Sequence, residues 1–206
     1  MKYAPFICLL LLCACAAAPK GAEGYFAKRH LSAFRDYTNF QHCRAYGCRE
    51  IDTLALEKKD WKKIERIFKP APKSAVEERE RIAKALGVFE TTVGAINGTS
   101  EDVFGTFDKV GVRQHDCVDE STNSTIYLSL LHNAGLLKFH DVGAPDTRVP
   151  IIHYAGTWPH QTAVISERIS GQRYAVDSWF HSNGYPAEIV KLEDWKHGWR
   201  PAEIKK

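Results

Sequence analysis

The stretch from Gln114 to Gly135 constrains the fold more than any other part of this chain. It begins with a polar head, Gln-His-Asp-Cys-Val-Asp-Glu, and continues as a mostly apolar run that ends at the glycine. Asp116 is a good N-cap residue, and Asp119 three positions later can complete a capping-box-like pair. Gly135 suits the position after a helix C-terminus. The pattern therefore predicts a helix whose first turn contains Cys117.

One face of this helix is predicted to lie in the protein core. Its apolar residues recur every four positions, which places them on one side of a helix. They are Val118, Thr122, Ile126, Leu130 and Ala134, joined by Leu131. Burial of that face would hold Cys117 in a fixed place.

Cys117 admits two interpretations. The unsatisfied N–H groups and the dipole of a helix N-terminus favour a thiolate, the form of cysteine that attacks carbonyl carbon. Three acidic neighbours, Asp116, Asp119 and Glu120, would instead raise the pKa of the thiol. The residue is therefore either a nucleophile or a buried structural cysteine at the start of a core helix.

Length and charge predict one domain that does not bind nucleic acid. The chain has 206 residues with ordinary glycine and proline content, and residues 25–206 are predicted to form a single domain. The net charge of +3 is small, and the basic residues alternate with acidic ones, as in residues 57–60 and 77–81. Such mixed charge is typical of solvated helix faces.

The N-terminus predicts export. Residues 1–15 contain Lys2 followed by an apolar run with the length of a signal-peptide core. The sequence Leu12-Cys13-Ala14-Cys15 resembles a bacterial lipobox, in which Cys15 would carry the lipid and anchor the chain to a membrane. Ordinary signal-peptidase cleavage among the following alanines is the alternative. Residues 16–24 are predicted to form a tether.

Three cysteines lie beyond the export segment: Cys43, Cys48 and Cys117. In an oxidising compartment Cys43 and Cys48, which flank a short loop, can form a disulfide and leave Cys117 as the free thiol. His42 beside Cys43 invites a metal interpretation, but the sequence lacks a second well-spaced ligand pair. We expect no metal and no cofactor.

The remaining sequence predicts two further helices and three strands. The helices cover residues 53–68 and 74–94, and the strands cover residues 149–155, 161–167 and 174–180. Ser170-Gly171 supplies a turn between the last two strands, so these form an antiparallel hairpin. The closing segment contains Trp195 and Trp199, which are interpreted as packing residues.

The hairpin carries two residues that complement the cysteine. His160 begins one strand, and Asp177 lies on the next. A histidine can take the proton of the Cys117 thiol, and a carboxylate can orient and stabilise the resulting imidazolium. Together the three residues form a candidate cysteine-nucleophile site, with Asn183 as an alternative orienting residue. Taken singly, His160 could be an ordinary strand-end histidine, and Asp177 could cap or pair with Arg173.

The chain resembles the transglutaminase-like branch of the papain-like superfamily over about residues 110 to 185. The matching segments are Asp116-Cys117-Val118-Asp119, His160-Gln161-Thr162-Ala163-Val164 and Val176-Asp177-Ser178-Trp179. Within that branch, the Asp-Cys-x-Asp pattern looks most like bacterial transglutaminase-like cysteine peptidases. The resemblance implies an α+β papain-like fold, with the cysteine-bearing helix packed on an antiparallel sheet.

The chain departs from that family pattern next to the cysteine. The peptidases commonly have glycine before the Asp-Cys pair, whereas this chain has His115, and Gln114 lies three residues before the cysteine. We expect the oxyanion to be stabilised by the Cys117 backbone N–H and the Gln114 side chain. His115, His132, His153 and His181 are interpreted as ordinary surface or core histidines.

The length of the hairpin turn decides whether His160 and Asp177 can lie close together. If Ser170-Gly171 were the whole turn, His160 would face His181, and Asp177 would lie about 13 Å away along the strand. A turn centred nearer residues 168–169, a four-residue loop over residues 168–171, or a bulge would bring the pair opposite each other or onto a diagonal.

Two functions from different classes follow. The first is an exported, lipid-anchored or soluble periplasmic enzyme of the bacterial envelope that cleaves or transfers amide bonds of a protein or peptide substrate, with hydrolysis favoured. The second is a catalytically silent envelope protein that uses the same fold for binding or as a scaffold. Retention of Cys117, His160 and Asp177 together favours the enzyme.

Overall fold

The computed structural model describes residues 21–32, 36–105, 111–149 and 159–206. These residues form an α+β structure, as predicted, with an antiparallel sheet. The elements, in chain order, are α1 (Gly21–Lys28), β1 (Phe40–Arg44), β2 (Glu50–Leu54), α2 (Lys58–Ile67), α3 (Ala75–Asn97), α4 (Cys117–Asn133), β3 (His140–Val142), β4 (Asp146–Arg148), β5 (His160–Glu167), β6 (Arg173–Asp177), β7 (Glu188–Lys191) and α5 (Leu192–Lys196).

Helix α4 begins at Cys117, as the sequence predicts. The Asp116 side chain accepts hydrogen bonds from the backbone N–H groups of Val118 at 3.0 Å and Asp119 at 2.9 Å. Asp119 completes the capping box by accepting from the Asp116 N–H. Gly135 follows the helix with a positive φ of 69°, where a glycine is favoured. The helix start is therefore fixed by local sequence.

The central sheet has the order β3-β5-β6-β7, and β4 pairs with the first half of β5. Side chains alternate between its two faces, as strand geometry requires. Ala163 and Ile165 belong to the main core, which also contains the buried face of α4. Val164 lies in a second, smaller core with Leu192 and Trp195 of α5. The sheet thus separates α4 from α5.

The β5–β6 hairpin has the wide turn that the candidate site requires. Ser166 pairs with Arg173 and Ala163 with Val176, while the Gln172 carbonyl accepts from the Glu167 N–H at 2.9 Å. Residues 168–171 therefore form a four-residue loop, which confirms one of the predicted alternatives. Continuing this register places Asp177 two positions from the residue opposite His160, on the diagonal.

Two predicted helix boundaries were wrong. Helix α2 begins at Lys58 rather than at residue 53, because residues 50–54 form β2. Helix α3 starts after its N-cap Ser74, as predicted, but passes Gly94 and ends at Asn97, followed by the C-cap Gly98 with a φ of 80°. Gly94 allows the backbone of Ser100 to pack closely against the helix, because a Cβ atom at this position would lie only 3.0 Å from the Ser100 backbone nitrogen.

A small hairpin of β1 and β2 was not predicted. Its strands pair antiparallel, from Phe40 opposite Leu54 to Arg44 opposite Glu50. Cys43 and Cys48 form a disulfide beside its turn, with their Cα atoms 4.6 Å apart. Its two short strands are mostly polar, and β2 is exposed or half buried throughout, so the sequence lacks the regular alternation that marks a strand.

The N-terminal predictions fall largely outside the described residues. Residues 1–20, including Cys15 and most of the predicted tether, belong there. Residues 21–24 were predicted as tether but form the first half of α1, in which Ala22 and Phe26 are buried against the main core. Among the helices of the described ranges, none has the length and apolar character needed to cross a membrane.

The other strand predictions are partly corrected. Strand β4 ends at Arg148, and residues 150–155 of the predicted strand 149–155 lie outside the described part. Strand β6 ends at Asp177 rather than at residue 180, because the chain turns there and the His181 N–H bonds the Ser178 carbonyl at 3.1 Å. The closing segment forms β7 and α5, neither of which was predicted.

Candidate active site

Cys117 lies at the start of α4 where this helix packs on β5. The residue is 7% exposed. The backbone N–H of Gln161 lies near its sulfur and favours the thiolate. Gln161 directly follows His160, so the thiol contacts the part of β5 that carries the histidine. Sequence alone could not provide this contact, because 44 positions separate the two residues.

The thiol is protonated at neutral pH. Burial raises the pKa of Cys117 to about 11, and the charges of Asp116 and Asp177 act in the same direction. The nearby backbone N–H groups of Gln161 and Cys117 act against this shift but are outweighed. The balance that the sequence left open is thus decided by burial more than by the acidic neighbours.

Two of the three acidic neighbours are committed to other partners. Asp119 accepts hydrogen bonds from the backbone N–H groups of Tyr46 at 2.7 Å and Cys48 at 2.6 Å, so it anchors the disulfide loop to α4. Glu120 accepts a hydrogen bond from Ser178 at 2.7 Å and pairs with His115 at 3.2 Å. Neither carboxylate is among the causes that raise the pKa of the thiol.

His160 and Asp177 meet as predicted. The Nε2 atom of His160 lies 2.7 Å from Asp177 Oδ2, and both side chains are 2% exposed. The Nδ1 atom of His160 is buried and has no hydrogen-bond partner within the described ranges. When Nε2–H donates to the carboxylate, the Nδ1 lone pair remains available to accept a proton.

Aromatic rings enclose the histidine. The ring centroid of Trp179 lies 4.5 Å from that of His160, and those of Phe180 and Trp195 lie at 5.4 Å and 5.5 Å. The Nε1–H of Trp195 also donates to Asp177 Oδ2 at 2.7 Å. The sequence interpretation of Trp195 as a packing residue missed this bond, and no local pattern signals it.

The other predicted site residues have partners of their own. The Gln114 side-chain amide donates to the Glu101 carbonyl at 2.9 Å and accepts from the Val103 N–H at 3.1 Å. These bonds give Gln114 a structural role in that loop, and its oxyanion role stays a prediction. Asn183 donates to the Thr99 carbonyl at 3.4 Å, whereas Asp177 is the residue bonded to His160, so the alternative orienting role of Asn183 stays a prediction.

Two further alternatives can be decided. Arg173 pairs with Asp146 at 3.2 Å rather than with Asp177.

The interpretation of His115 as an ordinary histidine missed a buried cluster, since its Nδ1 atom lies 3.2 Å from both Asp102 Oδ2 and Glu120 Oε1. These three side chains have the spacing of metal ligands. Asp102 and Glu120 both bond the same His115 nitrogen, and the sulfurs of the other such group are in the disulfide.

Comparison with known proteins adds no relative. No protein-family model matches the chain, and neither the curated proteins nor the solved structures contain a significant match.

Proposed function

We propose that the protein is a transglutaminase-like cysteine hydrolase with a papain-like core, which cleaves an amide bond of a protein or peptide through a thioester intermediate. One observation carries the proposal. His160 is bonded through Nε2 to Asp177, its Nδ1 atom has no partner within the described residues, and the next backbone N–H along β5 lies near the Cys117 thiol and favours its thiolate. This arrangement supports the roles of nucleophile, base and orienting carboxylate.

The reaction would begin with transfer of the thiol proton from Cys117 to His160 Nδ1. Since the buried thiol is protonated at rest, this transfer accompanies the attack of sulfur on the carbonyl carbon. Asp177 stabilises the imidazolium that forms. Collapse of the tetrahedral intermediate breaks the carbon–nitrogen bond, the amine leaves with the proton from His160, and a thioester remains on Cys117.

Water would complete the cycle by attacking the thioester. His160 takes a proton from the water, and the acid product leaves as the Cys117 sulfur recovers a proton. An amine in place of water would give acyl transfer instead. The backbone N–H of Cys117 lies in the first turn of α4, and we expect it to donate to the oxyanion.

The proposed cellular location rests on residues 1–15. Their export pattern supports the bacterial cell envelope, on the periplasmic side of a membrane, with Cys15 as the lipid attachment site. The disulfide between Cys43 and Cys48 agrees with an oxidising compartment.

A catalytically silent envelope protein is the second candidate. The burial of Cys117 favours it, because a thiol that is 7% exposed and protonated at neutral pH is a poor nucleophile unless a base activates it. The two candidates therefore differ in whether His160 activates the thiol.

The deciding experiment is labelling with an amide- or ester-directed thiol probe at pH 7. We expect the folded protein to react at Cys117, Cys117→Ala to remove all labelling, and His160→Ala to slow it strongly. If the wild-type thiol reacts only after the protein is unfolded, the hydrolase proposal is wrong and the silent protein is supported.

A further inference from the structure

We propose that Trp195 is a positioning residue of the active site, which holds the Asp177 carboxylate towards His160, and that Arg148 fixes Trp195 in place. This inference deepens the proposed function and rests on it. It adds to the three predicted residues a fourth that no sequence motif indicates.

The main observation is a shared oxygen. His160 Nε2 and Trp195 Nε1 both lie 2.7 Å from Asp177 Oδ2. All three side chains are buried, and Trp195 is 0% exposed. A carboxylate that could rotate in such surroundings would lose its bond to the histidine in some orientations. A second donor on the same oxygen restricts that rotation and satisfies a buried charge.

Arg148 fixes the position of the tryptophan. Its Nη1 atom donates to the backbone carbonyls of Trp195 at 2.7 Å and Trp199 at 2.9 Å. Its guanidinium carbon lies 4.6 Å from the centroid of the Trp195 ring. Arg148 on β4 pairs directly with His160 on β5. The residue that bonds the backbone of α5 therefore lies next to the histidine.

Arg148 is an unusual residue to bury for packing alone. It is 7% exposed, forms no salt bridge among the described residues, and has a buried Nε atom without a hydrogen-bond partner there. A buried cation without a paired carboxylate costs free energy. Burial lowers the pKa of Arg148, and the charge of Asp177 opposes that shift. The cation therefore helps to stabilise the buried carboxylate.

The role predicts an effect on turnover rather than on substrate binding. Trp195 contacts Asp177 and not the thiol, so Trp195→Phe should lower kcat by about 10- to 100-fold, the value of one hydrogen bond to a charged group. KM should change by less than about twofold. Trp199→Phe is the matched control, because its carbonyl is held by the same Arg148 but its ring contacts Phe180. That variant should retain the wild-type kcat.

Loss of volume in Trp195→Phe is controlled with a shape-preserving analogue. Benzothienylalanine at position 195 replaces the indole N–H with sulfur and keeps the two fused rings. We expect it to retain the wild-type Tm and to lose kcat as Trp195→Phe does. In an Asp177→Ala background, where no carboxylate remains to be held, the analogue should cause little further loss.

A spectroscopic measurement separates this inference from the proposed function. In wild-type protein the His160 Nε2–H proton should give a far-downfield NMR signal that exchanges slowly with water, whether or not the protein is an enzyme. The analogue should shift this signal and speed its exchange, and Trp199→Phe should not. If the wild type is inactive, the proposed function fails while this test still stands. An analogue with unchanged kcat and an unchanged Nε2–H signal would overturn the positioning role.

Discussion

The Nδ1 atom of His115 lies 3.2 Å from Glu120 Oε1, so the acidic residue three positions after Cys117 faces a histidine instead of the thiol. Asp102 Oδ2 lies 3.2 Å from the same nitrogen. Burial alone would lower the pKa of His115, but the hydrogen bonds and charges of Asp102 and Glu120 raise it well above its usual value. The resulting imidazolium offsets part of the negative charge near the start of α4.

Removal of this buried cation should destabilise the fold. His115→Gln keeps a hydrogen-bond donor but leaves two buried carboxylates without a counter-charge, so we expect a loss of about 3–5 kcal/mol in the free energy of unfolding. Urea denaturation at pH 6 measures it. His132→Gln is the control, because its side chain is 43% exposed and its contact with Asp141 is 3.7 Å. Equal effects of the two changes would contradict the ion-pair role.

The buried thiol should make stability depend on alkaline pH. Folding raises the pKa of Cys117 from 9.0 to about 11, so the folded state favours the protonated thiol. The resulting contribution to the free energy of unfolding is fully present below pH 9 and is lost as the pH rises through 11. A shift of about two units corresponds to about 2–3 kcal/mol. The difference in unfolding free energy between wild type and Cys117→Ser should change by that amount between pH 8 and 11.5. A difference that does not vary with pH would show that the thiol is not desolvated in the fold.

The three site residues should act as one unit. Cys117→Ser and His160→Ala should each nearly abolish turnover, because either change removes the activated nucleophile. Asp177→Asn should fold normally and lower kcat at least about tenfold, since an amide can hold the ring without stabilising its positive charge. Losses in double variants should be far from additive. Full activity in Asp177→Ala, together with loss in Asn183→Ala, would transfer the orienting role to Asn183.

The disulfide should stabilise the β1–β2 hairpin, which contacts helix α4. It closes a short loop, with a sequence separation of 5, so the double variant Cys43→Ser/Cys48→Ser should lose about 2 kcal/mol. Activity should also fall, because Asp119 of α4 bonds the backbone of Tyr46 and Cys48 in that loop. Chemical denaturation and thiol counting measure both effects. Exported protein with Cys117 in a disulfide to either partner would contradict the assignment.

The lipid anchor can be tested directly at the N-terminus. We expect the mature chain to begin at Cys15 with acyl groups on that residue, because residues 12–15 resemble a lipobox. Intact-mass spectrometry of the exported protein measures the added mass, and Cys15→Ser should release the chain from the membrane fraction. A free, unmodified N-terminus at Ala17 or later would show that Cys15 is not the lipid attachment site.

The features predicted correctly from sequence are those whose cause is local. The capping pair of Asp116 and Asp119 fixes the start of α4, because both partners lie within one helical turn. The hairpin that joins His160 to Asp177 is short enough for its turn to fix the register. The close spacing of Cys43 and Cys48 likewise limited their choice of partner.

The features that sequence missed depend on contacts between distant segments. Strands β1 and β2 carry little alternation and are held by a disulfide and by bonds to α4. Glu120 pairs with His115 and accepts a hydrogen bond from Ser178, which lies 58 residues further along the chain.

Trp195 shows most clearly what the tertiary structure decided. It lies 18 residues beyond Asp177 on a five-residue helix, and nothing in its own segment indicates a bond to a carboxylate. That bond exists because β7 returns along β6 and Arg148 holds the following helix against the sheet. The sequence by itself determined which residue types were present for the chemistry, through local caps, turns and spacing. Packing of distant elements determined which of them share a buried, low-dielectric space, and so which ones interact.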